Sequence, residues 1–144
     1  MGVADILAKR KREAAEKNLL DGFKFQDEFA KREGVVRTNS GLLYEVLVQG
    51  DGFKPSAKDK VVCHYHGTTI TGEVFDSSVE RGKPATFPLN RVIKGWTEGL
   101  QLMNVGSKFK FVIPADLAYG EEAISKQIGP NSTLVFEVEL IDIQ

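Results

Sequence analysis

The chain changes its hydrophobic period once, near Gly34. Residues 4–33 lack proline and are rich in Ala, Leu, Lys and Glu, which favour helix. Ile6, Leu7, Leu19, Leu20, Phe23 and Phe29 trace an apolar stripe broken by a charged middle. Lys31 and Arg32 suit a last helical turn, with Gly34 placed to end it. Gly22, about 1 kcal/mol worse than alanine inside a helix, predicts a break or bend. From residue 35 onward the period is two. Tyr44, Val46 and Val48 alternate with Leu43, Glu45 and Leu47, and Val61, Cys63 and Tyr65 with Val62, His64 and His66. Phe109, Phe111 and Ile113 alternate with Lys108, Lys110 and Val112. Leu134, Phe136, Val138 and Leu140 alternate with Val135, Glu137, Glu139 and Ile141. Each set predicts a strand with one buried face.

Turn chemistry separates these strands at Gly50-Asp51-Gly52, Thr71-Gly72 and Gly129-Pro130-Asn131. One helical pattern interrupts them: Val92, Ile93, Trp96, Leu100 and Met103, with Asn90 as the expected cap. The expectation is an α+β fold, an antiparallel sheet wrapped on one short helix. Residues 1–34 form a helical extension and residues 35–144 the main domain.

Length and composition narrow the function classes. A chain of 144 residues holds one compact core plus an appendage. A net charge of -1 supplies no global field for nucleic acid or an anionic membrane. The basic run Lys9, Arg10, Lys11 and Arg12 reads as a solvated helix face rather than a nucleic-acid site. Cys63 is the single cysteine, so neither an intramolecular disulfide nor a multi-cysteine zinc site can form. No run has signal-peptide or membrane-span length, and the expected location is the cytoplasm.

Conventional catalytic sets are missing. Cys63 shares a strand face with Val61 and Tyr65 and reads as a small core residue. His64 and His66 share the other face; two ligands without a third are a weak metal signal. Neither a phosphate-binding glycine loop nor an HExxH motif occurs. What remains is a surplus of aromatic and branched residues at inward positions: Tyr65, Phe75, Val92, Ile93, Trp96, Tyr119, Ile128 and Phe136. The plain reading is core. Yet Tyr65, Trp96 and Tyr119 carry polar tips that a dry core must satisfy, and Asp76 beside Phe75 is costly unless paired or useful.

At these residues the sequence resembles the FKBP prolyl isomerases. The strings are Phe75-Asp76-Ser77-Ser78, Val92-Ile93-Lys94-Gly95-Trp96-Thr97-Glu98-Gly99-Leu100, Pro114-Ala115-Asp116-Leu117-Ala118-Tyr119-Gly120 and Thr133-Leu134-Val135-Phe136-Glu137-Val138-Glu139-Leu140. They stand in that family's order, and the likeness covers roughly residues 38–144. Phe29-Ala30-Lys31-Arg32-Glu33-Gly34-Val35, leading into Ser40-Gly41-Leu42, is similar to the bacterial subgroup related to the macrophage infectivity potentiator.

The resemblance implies an antiparallel half-barrel around the short helix, and peptidyl-prolyl cis-trans isomerase activity on proline-containing peptides and folding proteins, without cofactor or metal. It implies that Trp96 floors a pocket walled by Tyr65, Phe75, Val92, Ile93 and Phe136, with Phe87 the local ring near Ala85 and Ile128 at a further pocket position. The Ile93 N–H and the Tyr119 hydroxyl would bond carbonyls of a peptide or of a macrolide such as rapamycin. Asp76 would sit at the rim, held by Arg81. Asp76, Tyr119 and Phe136 are the expected catalytic residues. Residues 121–129 depart from the family pattern, being more polar, which bears on substrate preference. Two questions stay open at this level. Asp76 either orients the twisted imide or merely fixes the rim, and the domain either turns over or only binds, as a chaperone does. The N-terminal helix is expected to pair with a second copy or to fold back on its own sheet.

Overall fold

A computed structural model describes residues 2–144; Met1, the first residue of the expected extension, lies outside them. The long helix α1 spans Val3–Ala30. Seven strands follow: β1 (Val36–Arg37), β2 (Leu43–Val48), β3 (Lys60–Thr69), β4 (Val74–Ser77), β5 (Ala85–Pro88), β6 (Lys108–Ile113) and β7 (Leu134–Ile143). Two shorter helices join them, α2 (Ser78–Arg81) and α3 (Lys94–Leu100). All pairings are antiparallel, in the order β1-β2-β6-β7-β3-β4. β5 shares the outer edge of β3 with β4: Val61 faces Phe87 in one half, and Gly67 faces Asp76 in the other.

The period-two pattern decides which face is which. Val61, Cys63, Tyr65, Phe109, Phe111, Ile113, Leu134, Phe136, Val138 and Leu140 bury one face against Trp96, Leu100 and Met103 of the α3 region. Gly95 and Gly99 let α3 approach: a Cβ at Gly95 would meet Ile113 Cγ2 at 2.6 Å, and one at Gly99 would meet Phe111 Cε1 at 2.6 Å. That contact seats Trp96 on the sheet. The residues between, Leu43, Val112 and Val135, bury the opposite face under Phe29 of α1. Farther along this outer face a polar ladder sets Lys108 opposite Glu139 and His66 opposite Glu137. Burial pushes the Cys63 thiol up to about 12, so it serves the core as a small apolar group.

Four expectations need correction. α1 runs through Gly22 without a break, because the missing side chain makes room for Thr133. It also ends at Ala30, and Gly34 (φ +84°) belongs to the turn that follows. Nor does Asn90 cap α3. It sits in a turn of 3-10 helix at Leu89–Arg91, and Ile93 occupies the cap position without a side-chain bond. The buried stripe of α1 is Gly22, Gln26 and Phe29, while Leu20 and Phe23 are exposed. No helix among the described residues is long and apolar enough to cross a membrane.

Candidate functional site

Between the inner sheet face, α3 and the segment after β6 lies a cavity of about 530 Å3, the size of a ligand pocket. Its lining is Tyr65, Phe75, Asp76, Phe87, Arg91, Val92, Ile93, Trp96, Tyr119, Ile124, Ser125, Ile128 and Phe136. Every residue the resemblance assigns to the pocket lies here except Arg81, which reaches the lining through Tyr65 and Asp76. Arg91, Ile124 and Ser125 were not singled out.

Trp96 organises the cavity. Its ring packs edge-on against Tyr65 at 5.3 Å, Phe87 at 5.3 Å and Phe136 at 5.4 Å between centroids. Phe75 adds a fourth edge-to-face contact, on Phe136 at 5.4 Å. Such geometry suits the ring quadrupoles and fixes the ring planes. The rings fit because Gly67, opposite Phe136 on β3, has no side chain: a Cβ there would lie 2.7 Å from Phe75 Cζ and 2.8 Å from Phe136 Cε1. Among the described residues the buried Trp96 indole N–H has no protein acceptor. The Ile93 N–H, at the start of α3, also has no protein acceptor among the described residues.

The polar rim is built by α2. The Ser77 hydroxyl caps this helix by accepting from the Glu80 N–H at 3.2 Å, and Gly82 (φ +73°) closes it. Ser78, fully buried, accepts the Tyr65 N–H at 2.7 Å and so ties α2 to β3. The short turn carries Arg81 back over β4, where its guanidinium pairs with Asp76 and donates to the Tyr65 hydroxyl at 2.8 Å. Tyr65 in turn donates to Asp76 Oδ2 at 2.7 Å. Partial burial would raise the Asp76 carboxyl, but bonds from Arg81 and Tyr65 outweigh it and hold the group below its ordinary value. Burial pushes the Tyr65 hydroxyl up, so it stays a proton donor at neutral pH. The rim therefore carries a carboxylate already paired with Arg81 and Tyr65.

The two histidines stand elsewhere. His64 Nδ1 meets Ser78 Oγ at 2.9 Å and His66 Nδ1 meets Ser77 Oγ at 2.9 Å, on the outer side of β3. Among the described residues no group of three or more His, Cys, Asp or Glu side chains is arranged to hold a metal ion.

Comparison with known proteins agrees with this geometry. Residues 52–141 match the family described as FKBP-type peptidyl-prolyl cis-trans isomerase, and residues 2–46 match the domain amino terminal to it. The chain is 55% identical over 134 residues to the FKBP-type peptidyl-prolyl cis-trans isomerase FkpA of Aeromonas hydrophila, covering 90% of this chain and 50% of that protein. It is 46% identical over 143 residues to the outer membrane protein MIP of Legionella longbeachae, covering 97% and 61%. The chain thus spans about half to three-fifths of the length of these relatives. The crystal structure of FkpA from Escherichia coli superposes with a TM-score of 0.92 at 44% identity, over 95% of this chain and 64% of that one. An open antiparallel sheet, an edge-packed tryptophan at the start of a short helix and a family match across residues 52–141 lead to one assignment: the chain belongs to the FKBP-type peptidyl-prolyl cis-trans isomerase family.

Proposed function

We propose that this chain accelerates cis-trans rotation about X–Pro bonds in peptides and folding proteins, with residues 35–144 as the catalytic domain and residues 1–34 as a helical arm. The observation that carries this reading is the aromatic cavity beside a free Ile93 N–H. An X–Pro imide rotates over tens to hundreds of seconds because resonance keeps it planar behind a barrier of about 18–20 kcal/mol. Twisting removes that resonance and makes the bond less polar, so water favours the planar ground state. A cavity lined by Trp96, Phe87, Phe75 and Phe136 withholds the water. Donors at Ile93 and Tyr119 hold the flanking carbonyls while the bond is half turned. Each ten-fold of rate needs about 1.4 kcal/mol of selective transition-state stabilisation, which shape and a few hydrogen bonds supply.

In this reading Asp76, Tyr119 and Phe136 contact the reacting imide. Tyr65, Phe75, Phe87, Val92, Ile93, Trp96 and Ile128 hold the prolyl ring and its neighbours, and Arg81 secures Asp76. Macrolides such as rapamycin would occupy the same cavity. The exposed Val3, Ile6 and Leu7 at the start of α1 give the arm an apolar face for a second copy. Proline-limited refolding of a test protein, with and without rapamycin, tests the proposal. Faster refolding that rapamycin abolishes supports it. Refolding that is slowed or unchanged means a binding module without turnover.

A further inference from the structure

Residues 120–133, between Tyr119 and β7, bring Ile124, Ser125 and Ile128 to the cavity but form no helix or strand. Bonds within the segment shape it. The Ile124 N–H donates to the Ile128 carbonyl at 2.8 Å, and the Asn131 N–H to the Gly120 carbonyl at 2.7 Å. Asn131 is the one described non-glycine residue with positive φ, +58°, a conformation that needs holding.

The hold comes from α1. Asn18 Nδ2 donates to the Pro130 carbonyl at 2.8 Å, Asn131 Nδ2 donates to the Ala15 carbonyl at 3.3 Å, and Gln26 Nε2 donates to Thr133 Oγ1 at 2.9 Å. Gly22, between Asn18 and Gln26 on the same helix face, lets the Thr133 side chain come against the helix backbone. Gln26 is only 7% exposed, so its amide is costly to bury without a partner. Leucines at Asn18 and Gln26 would bury apolar area but supply no donor to Pro130 or Thr133. Amides also specify where along the helix the segment must sit.

We propose that α1 is a strut for the cavity, with Asn18 as a positioning residue that acts through Pro130 to hold the wall carrying Ile128. The helix thereby sets how tightly a prolyl substrate is gripped, although no residue of α1 lines the cavity. The activity arm of this inference rests on the isomerase reading above; the exchange arm does not.

The test is Asn18→Leu and Asn18→Ala in the whole chain. Leucine roughly keeps the side-chain size, raises helix propensity and removes the amide, and with it the donor to Pro130. Amide hydrogen exchange at Ile124, Ser125 and Ile128 is expected to quicken about three-fold or more in both variants, with the core strands unchanged. The tetrapeptide KM is expected to rise about three-fold, with kcat within about two-fold of wild type. Unchanged exchange at these three amides overturns the strut, and so does faster exchange with an unchanged KM. An inactive wild type would overturn the isomerase reading instead, and the exchange result would still judge the strut.

Discussion

The Tyr65 hydroxyl donates to Asp76 Oδ2 at 2.7 Å while the Arg81 guanidinium engages both residues and lies 5.6 Å from the Tyr65 ring centroid. Three side chains from β3, β4 and α2 thus form one closed unit at the mouth of the cavity. Because the folded carboxyl is held below its ordinary value, it binds a proton less readily than in the unfolded chain. Its contribution to stability is therefore complete above roughly pH 4 and is lost as pH falls through the lowered folded value. The pair is half exposed, so that contribution is at most about 1 kcal/mol. Urea unfolding between pH 2 and 7 is expected to show a shallower acid loss in Asp76→Asn than in wild type.

The same carboxylate decides between the two roles left open for it. Asp76→Ala is expected to lower kcat/KM several-fold with the domain still folded at 25 °C. Wild-type turnover in that variant would leave Asp76 a rim-fixing residue only.

Gly67 makes a sharper demand. A methyl group at this position would press on both Phe75 and Phe136, two of the five packed rings. Gly67→Ala is expected to cost about 1–3 kcal/mol of stability through overpacking. It should also reduce kcat/KM several-fold, because the rings it displaces line the cavity. Thermal melting and peptide kinetics on one preparation check both effects.

Tyr119 separates chemistry from packing. Its side chain is 37% exposed, so loss of the hydroxyl leaves no cavity in the core. Tyr119→Phe is expected to keep the wild-type melting temperature within about 2 °C and to lower kcat/KM several-fold. Unchanged kinetics would remove its hydroxyl from the mechanism.

Arg91 is expected to set a charge preference among substrates. Of the lining residues only Asp76 is an acid and only Arg91 a strong base, and Asp76 is paired with Arg81. Arg91 is exposed and has no ionic partner among the described residues. Peptides with glutamate beside the proline are therefore expected to be favoured over lysine peptides by a few-fold at low salt. The preference should collapse in about 1 M salt and invert in Arg91→Glu.

How much of this was legible in the sequence follows from the physics of each signal. Alternation along β3, β6 and β7 identified the inner face, because a sheet with one wet face must alternate. The aromatic lining was legible for a related reason: Tyr65, Trp96 and Phe136 fall at inward positions, and Phe75 precedes a charge. The short elements β4, α2 and β5 span four residues each, too few for a period to show. Asn18 and Gln26 escaped notice because amides on a helix read as solvent-facing, and burial alone reveals them as docking groups. Arg91 and Ser125 escaped in the same way: a cavity wall carries polar residues that no hydrophobic pattern marks. Gly67 left no signal and Gly22 signalled a helix break instead, since a close approach is known only once its partner is placed.

The most direct test is NMR exchange spectroscopy of an X–Pro tetrapeptide with a few per cent of the protein added. If the Trp96 cavity shelters a turning imide, cis and trans resonances will show exchange cross-peaks absent from the peptide alone, and Tyr119→Phe will weaken them. Peptide resonances that broaden or shift on binding, with cis-trans exchange no faster than in buffer, would contradict the account.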